Sequence, residues 1–555
     1  MQTFILALIV AAFKAVLSID DKFSKLPDEK KQELLQAFSR SDVHLVHEKL
    51  AGLREKWIKK LQNENNDPKQ PQRRIPDKML VPRRTVYRRN APTIRPIHEI
   101  NHNANLSEFM YQADIVLTVQ QAEQIAKDSM NLQKRKRQAY RDWYYPNTIW
   151  SDAVYYYFDR TATDSIKTVF MKAVQFWQSN TCIKFVESMS APNKIRVFKG
   201  QGCYSYVGRV GGQQDLSLGK GCESVGTAAH ELGHALGFFH TQSRFDRDDA
   251  ISIIVANIVP SYIDQFDKES STTNYNYGMP YDYGSIMQYG ARSASRNGKP
   301  TMVAEEENYQ DTMGSDMVSF YDVSMMNEHY NCKVKCKNGQ AAQCQNGGFP
   351  NPNDCSKCIC PSGYGGSLCS EKPDDCGGTF NAEAAYKSLI STIGDGTTQT
   401  KIDFQKCTYW IQAPPGKQIQ VRLDSYKGIT ADGCIYGGVE IKTNPDQLRT
   451  GYRFCSSTTT GTTLTAVSNL VPVVTFNRYG KSTIGLSYRY VDSNQPDAVE
   501  PPVQITTKKP SVVQTTTRPV TKCVNNFYDC TILAFFGFCD YPQVRQQCMR
   551  ACGLC

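Results

Sequence analysis

The stretch His230-Glu231-Leu232-Gly233-His234-Ala235-Leu236-Gly237-Phe238-Phe239-His240 constrains this chain more than any other. His230 and His234 are four residues apart in a segment whose pattern predicts a helix from Thr227 to Leu236, so both imidazoles leave one face and can share one ion. A catalytic zinc takes three protein ligands and keeps one position open, and His240 supplies the third if the helix stops first. Gly237 lets it stop, because a residue without Cβ takes the left-handed conformation that ends a helix. Glu231 is not needed for binding and is placed to act as general base on the metal's water. The ordinary alternative is a helix that merely carries two histidines. Against it, only four of the eight His follow residue 137, and three of those four lie in this stretch, leaving His329.

At 555 residues the chain is too long for one core and divides into several domains. Residues 1–18 are apolar (Phe4 to Phe13) and turn polar at Asp20-Asp21, which reads as a secretory signal despite Lys14 and the lack of a basic start. No other stretch approaches the length of a membrane span. All 20 cysteines lie between Cys182 and Cys555, an even number that in an exported chain argues for disulfides rather than cysteine zinc sites. The formal charge of +10 is concentrated between Ala51 and Ile100, where 13 Lys or Arg face 5 Asp or Glu. The remainder is close to neutral, so bulk charge gives no reason to expect nucleic-acid binding.

Residues 19–137 contain no cysteine and read as a propeptide. Pro27 to Gln62 has helical periodicity (Leu34, Leu35, Phe38, Leu45, Val46, Leu50, Leu53, Trp57, Leu61), followed by a Pro- and Arg-rich stretch with the pairs Arg73-Arg74, Arg83-Arg84 and Arg88-Arg89. It ends in Lys134-Arg135-Lys136-Arg137, a processing site that makes Gln138 the mature N-terminus. Residues 138–332 form the catalytic unit, with strands at 153–158 and 194–198 and an amphipathic helix from Ser165 to Gln178. Its four cysteines make two bridges; Cys203 and Cys222 bracket the loop before the histidine helix, which leaves Cys182 with Cys332.

The unit resembles the astacin family of metzincin zinc endopeptidases. The residues carrying the resemblance are Cys203-Tyr204-Ser205-Tyr206-Val207-Gly208-Arg209, Gly211-Gly212-Gln213, Leu216-Ser217-Leu218, Gly221-Cys222, the histidine motif, Ser243-Arg244 and Asp246-Arg247-Asp248. Ser285-Ile286-Met287-Gln288-Tyr289 is similar to the family's Met-turn. The resemblance implies a two-lobed α/β domain with a substrate cleft between the lobes, one Zn2+ on His230, His234 and His240, and Met287 beneath it. It also implies that Tyr289 is a fifth ligand at rest that swings out to hydrogen-bond the oxyanion, a catalytic role beside Glu231. Gly211-Gly212-Gln213 to Leu218 is expected to be the edge strand to which substrate adds. Tyr111-Gln112-Ala113-Asp114 resembles the segment whose Asp occupies the zinc's open position and silences the zymogen, with Ala113 in place of Gly. Two departures stand out: Thr241 replaces the Glu that pairs through water with the new N-terminus, and Gln288 replaces a His of the Met-turn.

Downstream, residues 333–370 resemble a disulfide-rich EGF-like module, implying the pairs Cys336–Cys355, Cys344–Cys358 and Cys360–Cys369. Residues 376–491 resemble a CUB β-sandwich, with Cys376–Cys407 and Cys434–Cys455; Gly437 and Asn477-Arg478-Tyr479 stand where many such domains have calcium ligands, so a calcium-free domain is expected. Residues 492–522 form a Thr- and Pro-rich linker suited to O-glycosylation. The module 523–555 is too small to fold without staples and resembles a ShK toxin-like (ShKT) domain, implying Cys523–Cys555, Cys530–Cys548 and Cys539–Cys552. Between Cys539 and Cys548 it lacks the Lys-Tyr pair with which such toxins plug potassium channels, which disfavours a toxin reading. The single N-glycosylation signal is Asn105-Leu106-Ser107, in the propeptide.

The sequence therefore leads to a secreted, extracellular zinc endopeptidase made as a zymogen, with no membrane span. An activating protease at 134–137, extracellular protein substrates of matrix, collagen-like or precursor type, and protein contacts through the EGF, CUB and ShKT modules are its expected partners. The competing reading is a catalytically silent binding or adhesion protein acting through those modules; it is disfavoured because every ligand and Glu231 are present.

Overall fold

A computed structural model of the chain describes residues 23–38, 42–50, 79, 95–130, 139–140, 145–270, 274–337 and 341–492. The apolar leader 1–18, the basic run with Arg137 and Gln138, the linker from 493, and the 523–555 module with its three expected disulfides lie outside the described residues.

The residues before 131 form α1 (Asp28–Ala37), a helical stretch at 43–50, α2 (Ile97–Asn103), β1 (Ile115–Val116) and α3 (Val119–Met130). Of the periodicity expected over 27–62, the described residues show helix at 28–37 and 43–50, while 39–41 and 51–62 lie outside the described residues. β2 (Ala139–Tyr140) pairs antiparallel with Asn274–Tyr275. Then come β3 (Val154–Phe158), α4 (Asp164–Asn180), β4 (Phe185–Glu187), β5 (Lys194–Phe198), β6 (Cys203–Tyr206), β7 (Gln213–Leu218) and α5 (Val225–Ala235). Six strands make one sheet in the order β1-β6-β7-β5-β3-β4, with only the β6–β7 pair antiparallel.

α4 starts at Thr163, whose hydroxyl accepts from the Ile166 amide, and buries Ile166, Val169, Phe170, Ala173, Val174 and Trp177 against the sheet and α5. Each large side chain so buried contributes about 2 kcal/mol. Beyond α5 the chain runs largely through 3-10 turns to α6 (Phe320–His329), which begins with a capping box between Ser319 and Asp322. Disulfides join Cys182 to Cys332 and Cys203 to Cys222.

After a small hairpin (Phe349–Asn351 with Asp354–Ile359), stapled by Cys336–Cys355, Cys344–Cys358 and Cys360–Cys369, a five-stranded and a four-stranded sheet pack as a sandwich. Cys376 faces Cys407 across its one parallel pair and is bonded to it, and Cys434 is bonded to Cys455. Alternation along Lys387–Ile393 (buried Leu389, Ser391 and Ile393) shows how period-2 patterning selects the inner face. Among the described residues no helix is long and apolar enough to cross a membrane.

The sandwich and the catalytic unit share one core. Tyr309 stacks on Tyr283 at 4.4 Å and lies 4.5 Å from Tyr452 of the sandwich, while Thr450 hydrogen-bonds Asp282 and Tyr321 hydrogen-bonds Asp446. Gly433, at φ 66°, lies so near the catalytic unit that any Cβ there would overlap the Gly314 carbonyl. Gly433→Ala is therefore expected to destabilise the chain by at least about 2 kcal/mol in denaturant titration. Gly461→Ala, at φ 89° with open space around it, should cost only about 1 kcal/mol.

Candidate metal centre

α5 carries the first two histidines and its end presents the third. Ser224 caps it by accepting from the Thr227 amide at 2.9 Å. Gly237, at φ 112°, closes it: its amide bonds the His234 carbonyl at 2.8 Å and the Phe238 amide bonds the Gly233 carbonyl at 2.9 Å. This double bond pattern is a Schellman turn, and it sends the chain back so that His240 faces His230 and His234. One ligand atom from each of His230, His234, His240 and Asp114 lies within 4.8 Å of all the others, and all four side chains are buried.

The hydrogen bonds of the rings fix what these atoms can do. Nδ1 of His230 bonds the Ile286 carbonyl at 2.7 Å, Nδ1 of His234 the Phe238 carbonyl at 2.6 Å, and Nδ1 of His240 the Gln112 amide oxygen at 3.0 Å. Carbonyl oxygens only accept, so each ring holds its proton on Nδ1 and turns a lone pair on Nε2 toward the common centre. There His240 Nε2 stands 3.2 Å from His230 Nε2, and the Asp114 carboxylate lies 3.1 to 3.5 Å from all three rings. Lone pairs and a buried carboxylate crowded at such distances repel unless a cation lies among them. His234 Nε2 and Asp114 Oδ1 have no hydrogen-bond partner, as expected of ligand atoms. The donor set of three imidazoles and one carboxylate suits Zn2+.

Electrostatics agree with that fit. Burial pulls His240 down to about 4 and lowers His234, only partly offset by Asp114, so both rings are neutral and ready to ligate near pH 7. Burial, reinforced by Asp114, pushes the Glu231 carboxyl well above its usual value. Glu231 is fully buried and neither of its oxygens has a hydrogen-bond partner.

Tyr289 donates to Asp114 Oδ2 at 2.6 Å, its ring 4.4 Å from that of His240. Met287 is fully buried with its sulfur against Gly233, where an added Cβ would be 2.8 Å away. Gln288 is buried, bonded to the Tyr289 carbonyl and to Tyr281. Thr241 donates to Ser285 Oγ at 2.9 Å, and Ser285 donates to Asp322, whose carboxyl burial pushes up to about 6. Asn105, at φ 57°, is exposed.

One expectation is overturned. Gln213–Leu218 is not an edge strand: β7 pairs with β5 on one side and β6 on the other. Without β1 the sheet would have β6 at one edge and β4 at the other, and β1 lies along β6, Ile115 opposite Ser205 and Val116 opposite Tyr206. Asn101 extends that seal, its amide donating to the Cys203 and Ala113 carbonyls and accepting from the Cys203 amide. Sequence reasoning also missed Gln112, which orients His240, and Glu269, which accepts from both Gln112 and Tyr111. Gln112 had a signal available, since it lies in the same short segment as Asp114.

Comparison with known proteins places this geometry. The profile of the family described as Astacin (Peptidase family M12A) matches residues 142–331. The chain is 49% identical over 541 residues to zinc metalloproteinase nas-31 of Caenorhabditis elegans, covering 94% of this chain and 85% of that one. It is 40% identical over 421 residues to zinc metalloproteinase nas-32 of the same organism, covering 74% and 63%. Among solved structures, high choriolytic enzyme 1, a hatching enzyme zinc-protease from Oryzias latipes, aligns at 33% identity over 35% of this chain and 98% of its own, with a TM-score of 0.33. At 49% identity to a zinc metalloproteinase over 94% of its length, and with four buried groups arranged for one Zn2+, the chain belongs to the astacin family of zinc metalloendopeptidases.

Proposed function

We propose that the chain is a secreted zymogen whose catalytic unit hydrolyses peptide bonds of extracellular proteins once the segment before Gln138 is removed. The observation that carries this reading is the source of the fourth group at the centre: Asp114 comes from the pro-segment, where an open position is needed for catalysis. His230, His234 and His240 would hold a zinc ion through Nε2, and Asp114 would close the site until processing at Arg137. Zinc held there would supply a Lewis acid that acidifies water and polarises a carbonyl.

The remaining work falls to the chain's own residues. Glu231, buried beside the first ligand and free of hydrogen bonds, takes a proton from the attacking water and returns it to the leaving amine. Tyr289, whose hydroxyl already donates to the Asp114 carboxylate oxygen at 2.6 Å, donates in the same way to the oxyanion of the substrate. An extended substrate takes the β6 edge that β1 occupies in the zymogen, so the pro-segment blocks both the edge and the centre. Ala113 holds φ 78° without being glycine, at a cost of about 1 kcal/mol that the surrounding hydrogen bonds offset.

Secretion is supported by the leader and by the pairing of every described cysteine. The EGF-like, CUB and ShKT modules serve as protein-contact modules, and by analogy with other multidomain members the substrates are matrix, collagen-like or precursor proteins.

Three outcomes test this. Glu231→Ala in the processed enzyme should lower kcat/KM by about 10³-fold with zinc content unchanged, measured by peptide hydrolysis and elemental analysis. Tyr289→Phe should lose about 10²-fold in kcat with little change in KM. Asp114→Ala should let the zinc-loaded unprocessed chain bind a small hydroxamate, which needs no β6 edge, while the unprocessed wild type excludes it; equal exclusion would remove Asp114 from the latency mechanism.

A further inference from the structure

One loop of the β-sandwich reaches the cleft beside the metal centre. That cleft is lined by Gly226, Thr227, His230 and Tyr289 of the catalytic unit together with Asp316 and, from the sandwich, Ile435. Pro-segment residues Arg95 to His98 lie in the same space, with Ile97 packed against the catalytic core.

The loop is held by a chain of contacts that ends on the histidine helix. The Arg478 guanidinium donates to the Ile435 carbonyl at 2.6 Å and pairs with Asp316, and Asp316 accepts at 3.2 Å from Ser224, the N-cap of α5. On the other side Asp432 accepts from Arg292 at 2.6 Å through the guanidinium and at 3.0 Å through the backbone, three residues beyond Tyr289. The Cys434–Cys455 disulfide anchors the loop to the sandwich, and the Gly433–Gly314 approach leaves no room for it to shift. Ile435, 6% exposed in the zymogen, is therefore positioned relative to His230 by rigid, mostly buried groups.

We propose that the sandwich is part of the substrate cleft, with Ile435 the specificity-determining wall on the His230 side of the metal. Its chemistry selects an uncharged side chain of limited size: the wall is apolar at Ile435 and Ile286, and the one acid there, Asp316, is matched by Arg478. The sandwich in this role is a component of the cleft rather than a separate docking module. The inference rests on the protease reading.

The test is cleavage-site profiling of a proteome-derived peptide library by the processed full chain, wild type beside Ile435→Ala and Ile435→Phe, with the melting temperature of each. The expected result is an opposite shift at a single subsite: Ile435→Ala gains larger residues and Ile435→Phe is confined to Gly, Ala and Ser. Relative kcat/KM there should change by about tenfold or more with other positions unaltered. Identical profiles, or a uniform loss of rate on all peptides, would overturn the proposal. If the wild type cuts no peptide, the protease reading itself falls.

Discussion

Three imidazole lone pairs and one carboxylate are turned toward a single buried point, and much of the structure near the site exists to keep them there. The arrangement is unfavourable without a cation, so the protein must impose it. Two of the Nδ1 protons are held by backbone carbonyls, Ile286 for His230 and Phe238 for His234. Those carbonyls are fixed in turn by the Schellman turn at Gly237 and by Asp322, which accepts from the Ile286 amide at 2.8 Å. A buried acid on α6 thus positions a ring on α5 through one residue, Ile286.

The third ring differs. His240 is oriented by Gln112, two residues before Asp114, so one short segment supplies both a ligand and a ligand's hydrogen-bond partner. The contacts of this segment reach further: Phe109 and Met110 share a core with Phe198, Tyr204 and Tyr206 of the sheet, and Leu117 with Val207. An apolar strip along the β6 edge is thereby covered by β1 and the residues around it, and the strand has no bare edge there.

What the sequence revealed follows from the range of the interactions. Helix α5 lies within two residues of its expected ends because capping at Ser224 and termination at Gly237 are local. The strands at 154–158 and 194–198 and the helix at 164–180 were legible for the same reason. The edge strand was misplaced because period-2 patterning in Gln213–Leu218 tells which face is buried, not how many neighbours pair with it. That depends on β5 and β6 arriving from either side. Gln112 meets His240 across 128 positions and Ile435 meets the cleft from another module, contacts that no spacing rule encodes. Thr241, read as a missing latch, makes its own bond to Ser285 and so keeps that buried position satisfied.

The most direct measurement is zinc-edge X-ray absorption on the metal-loaded chain before and after the pro-segment is removed. The account predicts four nitrogen or oxygen ligands at about 2.0 Å in the unprocessed chain, with a carboxylate signature that processing replaces by water. A ligand set that is the same in both forms, or one lacking the carboxylate from the start, would contradict it.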